Sequence, residues 1–301
     1  MQDKTIPTMS TIKIPILSNI IKAEHEFNIR PSLDWIEKHW HFTIWLSCIY
    51  VLFLAVGTTY MKNRKPFDLR IPLGIWSLLL AIFSLYGSVR LIPEWFDRTS
   101  KGFIPSICRG DYTDKTVEFW MIMFTWSKVF ELVDTVFIVL RKQKLIFLHW
   151  YHHIVTMMFC FYLFSRGVHG PFRWFATMNF SIHTVMYGYY SIKAFQLFRV
   201  PSIVNQVITT SQILQMIMGF AISVILMIMR VTHPGKCDFP FDSNILGLTI
   251  YSSFLALFVN FFIQTYVKGG AKRTSDTKLD KNNHVNNHVN NNHEYELKKG
   301  K

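Results

Sequence analysis

Charge is scarce in this chain: Asp, Glu, Lys and Arg make up 17% of its 301 residues, against roughly 25% in a typical soluble domain. That shortage excludes a disordered polyelectrolyte. Together with a hydrophobic content of 50%, it also excludes an ordinary soluble globule. Cysteine is scarce too, and four (Cys48, Cys108, Cys160 and Cys237) are too few for a disulfide scaffold. No cleavable leader is expected, because the first 40 residues mix Lys4, Lys13, Lys22, Arg30 and Lys38 with five acids, and the apolar run 14–21 is short and interrupted. Acidic residues vanish altogether between Asp134 and Asp238, which limits any carboxylate-based metal site.

What is abundant is apolar length. Seven windows, at about 41–60, 72–93, 117–140, 147–165, 172–192, 204–229 and 245–266, each suit a bilayer-crossing helix of about 20 residues. They are too long for barrel strands and lack their alternation. The third window carries charge and the fifth is rich in polar groups, so hydropathy marks these two least. The connections are short, so the expected fold is an all-α membrane protein with seven transmembrane helices. A segment 1–40 precedes the seven-helix domain 41–266, and a polar tail 267–301 follows it.

A formal net charge of +13 on such a chain calls for a membrane explanation, not a nucleic-acid partner. Lys and Arg number 17 in connections 1–2, 3–4 and 5–6 plus the tail, against 14 on the other side. The cluster Arg141-Lys142-Gln143-Lys144 is the sharpest local signal. Both put the C-terminus in the cytosol and the N-terminus in the lumen. The cytosolic segments then carry a net +12 and the lumenal ones +2. Cys108 and Cys237 fall in loops on the oxidising lumenal side, where they would form a disulfide between loops 2–3 and 6–7 or remain two free thiols. The tail repeats Asn-Asn-His-Val and reads as low-complexity disorder. Its Lys298 and Lys299 resemble a dilysine retrieval signal of the endoplasmic reticulum.

Several polar groups lie where a bilayer disfavours them. Lys128, Glu131 and Asp134 occur at i, i+3 and i+6 in the third window, and each charge at mid-bilayer costs about 2.5–3.5 kcal/mol on insertion scales. A Lys128–Glu131 pair would offset part of that and leave Asp134 needing a partner. The fourth window opens with His149, His152 and His153 on one face. Asn179, His183 and Tyr187 line a face of the fifth, and Thr209, Gln212 and Gln215 one of the sixth. Asn179-Phe180-Ser181 also fits a glycosylation sequon, but within a span it is out of reach. Each set alone could glue helices together. Four such faces on four successive helices point instead to a shared enclosed cavity.

Two chemistries suit imidazoles in such a cavity. The first is a metal site, since His-x-x-His-His resembles one histidine box of membrane di-iron desaturases and hydroxylases. With only His149, His152, His153 and His183 in the membrane zone, two irons would be under-ligated, and no metal is expected. The second is metal-free acyl transfer with imidazole as nucleophile or base. Cys160 is a rival nucleophile, but seven residues along a helix put it about 10 Å from His153, so it reads as core.

In order and spacing, Lys128-x-x-Glu131-x-x-Asp134-Thr135, His149-x-x-His152-His153, Asn179-x-x-x-His183-x-x-Met186-Tyr187-x-Tyr189-Tyr190 and Thr209-x-x-Gln212-x-x-Gln215 resemble the motifs of the fatty-acid elongase (ELO) family. The resemblance covers roughly residues 30–270. The run from Lys142 to His153 looks closest to the palmitoyl-type branch, which extends saturated and monounsaturated chains. The resemblance implies a seven-helix enzyme of the endoplasmic reticulum membrane, with helices two to seven around a closed-ended acyl tunnel and no cofactor. It would condense acyl-CoA with malonyl-CoA, giving a 3-oxoacyl-CoA two carbons longer, CO2 and CoA. By motif position His152 would accept the acyl group and His183 would lie beside the reacting carbonyl. His149, His153, Glu131 and Asp134 would hold the geometry.

The residue chemistry agrees with that division. Loss of CO2 from malonyl-CoA itself generates the carbon nucleophile. The enolate oxygen then needs hydrogen-bond donors, for which protonated imidazole, Asn179 and Tyr187 are candidates. Lys128, Tyr187, Gln212 and Gln215 are candidate substrate contacts. Arg141, Lys142, Lys144, Arg199, Lys268, Lys272 and Arg273 fall at the cytosolic mouth, where CoA phosphates need cations. Homodimerisation and association with the 3-oxoacyl-CoA reductase, dehydratase and enoyl-CoA reductase are further family expectations. The competing classes are a membrane di-iron lipid hydroxylase or desaturase and a seven-helix receptor or channel.

Overall fold

The computed structural model describes residues 15–268, apart from 109, 111–113, 169 and 238. Among the described residues the chain is entirely helical, without strands. Two short helices, α1 (Pro15–Glu26) and α2 (Arg30–His39), precede α3 (Phe42–Lys62), α4 (Arg70–Ser100) and α5 (Phe103–Cys108). Then come α6 (Lys115–Phe130), α7 (Val133–Leu140), α8 (Phe147–Ser165), α9 (Gly170–Phe195), α10 (Ser202–Thr232) and α11 (Phe241–Phe262), closed by a π-helical turn Ile263–Lys268. Each of the seven apolar windows coincides with one helix or, for the third, with the pair α6–α7. Four helices, α3, α4, α10 and α11 with its π turn, are long and apolar enough to cross a membrane. The chain is a multi-pass membrane protein on that count. Three of the four polar motifs lie outside this quartet, and the fourth, Thr209, Gln212 and Gln215, lies on α10.

The segment 1–40 is more structured than its composition suggests. α1 packs on α6 and α2 on α8. Glu24 of α1 is fully buried, where its carboxylate accepts from Arg90 Nε (3.0 Å) and from Trp120 Nε1 (2.8 Å). Residues 1–14 and the tail from 269 lie outside the described residues, and with them the Asn/His repeat, Lys298 and Lys299.

On α4 the small and polar residues face inward and most of the large apolar ones outward. The buried face of α4 is built mostly from small residues, Gly74, Ser77, Ala81, Ser84, Gly87 and Ser88, with Leu80 and Leu91, while Ile75, Leu78, Leu79, Ile82 and Leu85 are exposed. Small residues at this spacing let α9 approach closely, which is how helices associate when the hydrophobic effect between them is absent. A Cβ on Gly74 would stand 2.7 Å from the Phe195 ring. α10 and α11 make a second antiparallel pair, seated by Gly219, where a Cβ would meet Tyr251 at 2.3 Å.

The two ends of the bundle are held differently. At one end Cys108 of α5 is joined by a disulfide to Cys237 in the α10–α11 connection. Buried Arg173 of α9 pairs with Glu94 of α4 at 2.9 Å. At the other end Lys142, itself at φ 52°, donates from Nζ to the carbonyls of Lys62 (3.0 Å) and Arg64 (3.1 Å), tying the α7–α8 connection to the end of α3.

Candidate functional site: a buried histidine chamber

The third window is broken at its charged residues. Helix α6 ends at Phe130 and α7 begins at Val133. Across the break, backbone bonds tighten to i→i+3, with Asp134 N donating to Glu131 O (3.1 Å) and Thr135 N to Leu132 O (3.2 Å). The turn sends the three ionisable groups to different partners. Lys128 Nζ donates to Glu131 Oε1 (2.6 Å) and to Asn179 Oδ1 (2.8 Å), and Ser127 Oγ adds a bond to the same Glu131 oxygen (3.1 Å). Asp134 turns away from this pair. Its Oδ1 accepts from Trp76 Nε1 and its Oδ2 from Tyr187 Oη, both at 2.7 Å.

These bonds fix the tautomer of His183. Asn179 Oδ1 already accepts from Lys128, so its Nδ2 is the donor toward His183 Nε2 at 3.1 Å. His183 Nε2 is therefore an acceptor, and the ring proton sits on Nδ1, 3.7 Å from Glu131 Oε1. One carboxylate thus orients a lysine, an amide through that lysine, and an imidazole.

The histidine box divides in the same way. His149 Nε2 lies 3.0 Å from Thr135 Oγ1, which is 2.5 Å from Tyr50 Oη on α3. His153 is buried and packs on His149 with ring centroids 4.4 Å apart. The imidazole of His152 has no hydrogen bond among the described residues. It stands beside Phe254 of α11 at 5.0 Å between centroids and faces open space.

That space is two linked cavities. A polar one of about 170 Å³ is lined by Glu131, Asp134, all three box histidines, His183, Tyr187 and Gln212. An apolar one of about 40 Å³ runs down α8 past Thr156, Phe159 and Cys160 to Leu163, with Phe172, Phe175 and Tyr251 around it. His152, Asn179, Gln215 and Met216 line both, so His152 stands at the junction.

Not every motif residue reaches the chamber. Thr209 bonds instead to Asn205 O (3.0 Å) and Tyr266 Oη (3.2 Å), holding α10 to the π turn. Gln212 does line the polar cavity, but its Nε2 donates to Met186 Sδ (3.3 Å). Arg141, Lys142, Lys144, Arg199 and Lys268 line neither cavity, because all sit at helix ends or in the connections between helices, and Lys142 spends its ammonium on backbone carbonyls. Lys272 and Arg273 lie outside the described residues. Trp76 and Tyr50 escape sequence reasoning, since nothing in their own windows marks them. Among the described residues no group of three or more His, Cys, Asp or Glu is arranged to hold a metal ion.

Fold and site together define a class: a multi-pass helical membrane protein whose polar groups converge on an enclosed histidine chamber with an apolar extension. Residues 35–274 match the family model described as ELO, GNS1/SUR4 family. Long chain fatty acid elongase 1 of Caenorhabditis elegans is 41% identical over 239 residues, covering 78% of this chain and 81% of that protein. Very long chain fatty acid elongase 6 of Homo sapiens is 39% identical over 254 residues, covering 84% and 94%. The protein of the same name from Drosophila melanogaster is 38% identical over 264 residues, covering 86% and 83%. The chain belongs to the GNS1/SUR4, or ELO, family of fatty-acid elongases.

Proposed function

We propose that this protein is a 3-oxoacyl-CoA synthase that performs the condensing step of fatty-acid elongation through an acyl-histidine. The observation that carries the reading is His152, unbonded and standing where a polar chamber meets an apolar pocket. The apolar pocket is narrower than an acyl tail, so a tail that parts its Phe159, Phe172, Phe175 and Tyr251 lining and occupies it would present its carbonyl there. An imidazole nitrogen of His152 attacks that carbonyl, the C–S bond breaks, and CoA leaves as the thiol with the imidazole proton. Malonyl-CoA then loses CO2, and the resulting carbon nucleophile attacks the acyl carbon. The C–N bond breaks, and the imidazole takes up one proton from solvent to replace the one that left on CoA. The product is a 3-oxoacyl-CoA two carbons longer.

The enolate and oxyanion intermediates need donors. Tyr187's proton is committed to Asp134. Asn179 keeps a second amide N–H beyond its bond to His183, and the amide of Gln215 makes no hydrogen bond among the described residues. Both line the junction with His152. His183 flanks the acyl carbon, and Glu131 and Lys128 hold Asn179 and His183 in register.

The finer architecture belongs to the same proposal. Seven spans cross the membrane of the endoplasmic reticulum with the N-terminus lumenal, and spans two to seven enclose the acyl tunnel. Its substrates are palmitoyl-type saturated or monounsaturated acyl-CoA and malonyl-CoA, with no cofactor. The exposed cations Lys144, Arg199 and Lys268, with Lys272 and Arg273, would meet CoA phosphates near the cytosolic mouth. Lys298 and Lys299 would return the chain to the reticulum, where it works as a homodimer beside the reductases and dehydratase of the cycle. The test is incorporation of radiolabelled malonyl-CoA by membranes given a panel of acyl-CoA chain lengths. Wild type should label 3-oxo products and His152→Ala should not. Wild-type membranes at background would end the elongase reading, and normal turnover by His152→Ala would end the acyl-histidine assignment alone.

A further inference from the structure

A third hollow lies apart from the two chambers. It is a groove of about 410 Å³ between α4, α9 and α10. Its rim is apolar and exposed, with Ile92 at 42%, Leu214 at 59% and Met218 at 38% accessibility, which in a multi-pass membrane protein is the bilayer face. Its floor includes two residues that also line the polar chamber, Ile182 and Gln215. Gln215 lines the apolar pocket as well, so one side chain borders all three spaces. It is 7% exposed, and its amide makes no hydrogen bond among the described residues. A buried amide is ordinarily held by partners. Here no bond has to break for it to swing.

Resting on the elongase reading, we propose that this groove is a lateral portal. Through it the hydrocarbon tail of the acyl-CoA passes between the bilayer and the chamber, with Gln215 and Ile182 as the movable partition. Each methylene of a long tail is disfavoured in water. A tail already dissolved in the bilayer therefore meets the groove's apolar rim and has only the hydroxyls of Thr177, Ser181 and Ser211 and the Gln215 amide to pass, whereas an aqueous mouth would expose it end first. The partition also suits the two states of the site. When the tail is in place, the Gln215 amide returns to the junction beside His152, where a donor is wanted.

The experiment uses the full chain in lipid nanodiscs. Leu214→Trp and Met218→Trp fill the groove without touching either chamber, and Ile228→Trp on the same helix, 53% exposed and outside the groove, is the control. The groove variants should raise KM for palmitoyl-CoA at least threefold while KM for malonyl-CoA and kcat stay within twofold, and the control should change nothing. Palmitoyl-CoA carrying a diazirine near its tail end should also label the peptide containing Leu214 and Met218, and unlabelled palmitoyl-CoA should compete with that labelling. The second readout needs no turnover, so it separates failure of the portal from failure of the enzyme assignment. Unchanged KM in both groove variants, an equal rise in the control, or labelling that competitor leaves intact would overturn the portal.

Discussion

Lys128→Met tests whether the charged break in the third window is the keystone of the site. Both partners of the Lys128–Glu131 pair are 4% exposed, and Lys128 also holds Asn179. Removing the cation strands a buried carboxylate with only Ser127 still donating, and breaking a buried pair from one side costs about 3–5 kcal/mol. At about 2–4 °C per kcal/mol for a chain of this size, melting in nanodiscs should fall by roughly 6–20 °C. Adding Glu131→Gln removes the stranded charge, so the double variant should recover most of that loss. Its activity should stay low, because neither Asn179 nor His183 is then oriented by a charge. Thermal melting and malonyl-CoA incorporation on the four proteins complete the cycle. A Lys128→Met protein as stable as wild type, or a double variant no more stable than the single, would refute the reasoning.

Three further outcomes follow from other contacts. Tyr50→Phe cuts the Tyr50–Thr135–His149 relay and should lower kcat several-fold with KM for both substrates unchanged, at a stability cost of about 1 kcal/mol; steady-state kinetics and melting check it. Gly219→Ala forces the Tyr251 ring out of its seat toward the apolar pocket, at an overpacking cost of about 1–3 kcal/mol. Chain-length profiling of its products should show a shift toward shorter acyl groups. Cys108→Ser should abolish the mobility difference between reduced and unreduced protein on a gel, and it should lower melting because it opens a closure spanning 129 residues.

Helices were legible in the sequence because a bilayer demands long apolar windows, and all seven windows became helices. The polar site was legible for the same reason in reverse: Lys128, Glu131, Asp134 and the box histidines stand out against an apolar background. What periodicity could not supply was the direction each group takes. An ideal helix puts Lys128, Glu131 and Asp134 on one face, but the turn at 131–132 splits them, sending Lys128 to Asn179 and Asp134 to Trp76 and Tyr187. Trp76 and Tyr50 are ordinary apolar-window residues whose roles arise only from neighbours 58 and 85 positions away. Lys142 sits in the expected basic cluster, yet its ammonium is spent on two carbonyls, which composition cannot reveal. The helices of segment 1–40 went unread because their anchor, Glu24, is a lone carboxylate that becomes meaningful only against Arg90 and Trp120.

The account stands on one bond, the one between a substrate acyl group and His152. Purified protein given palmitoyl-CoA without malonyl-CoA, quenched in acid and digested, should carry one acyl group on the peptide containing His152. Addition of malonyl-CoA should discharge it, and His152→Ala should never acquire it. Acylation of Cys160 instead, or full turnover with no acylated peptide at any time, would contradict the account.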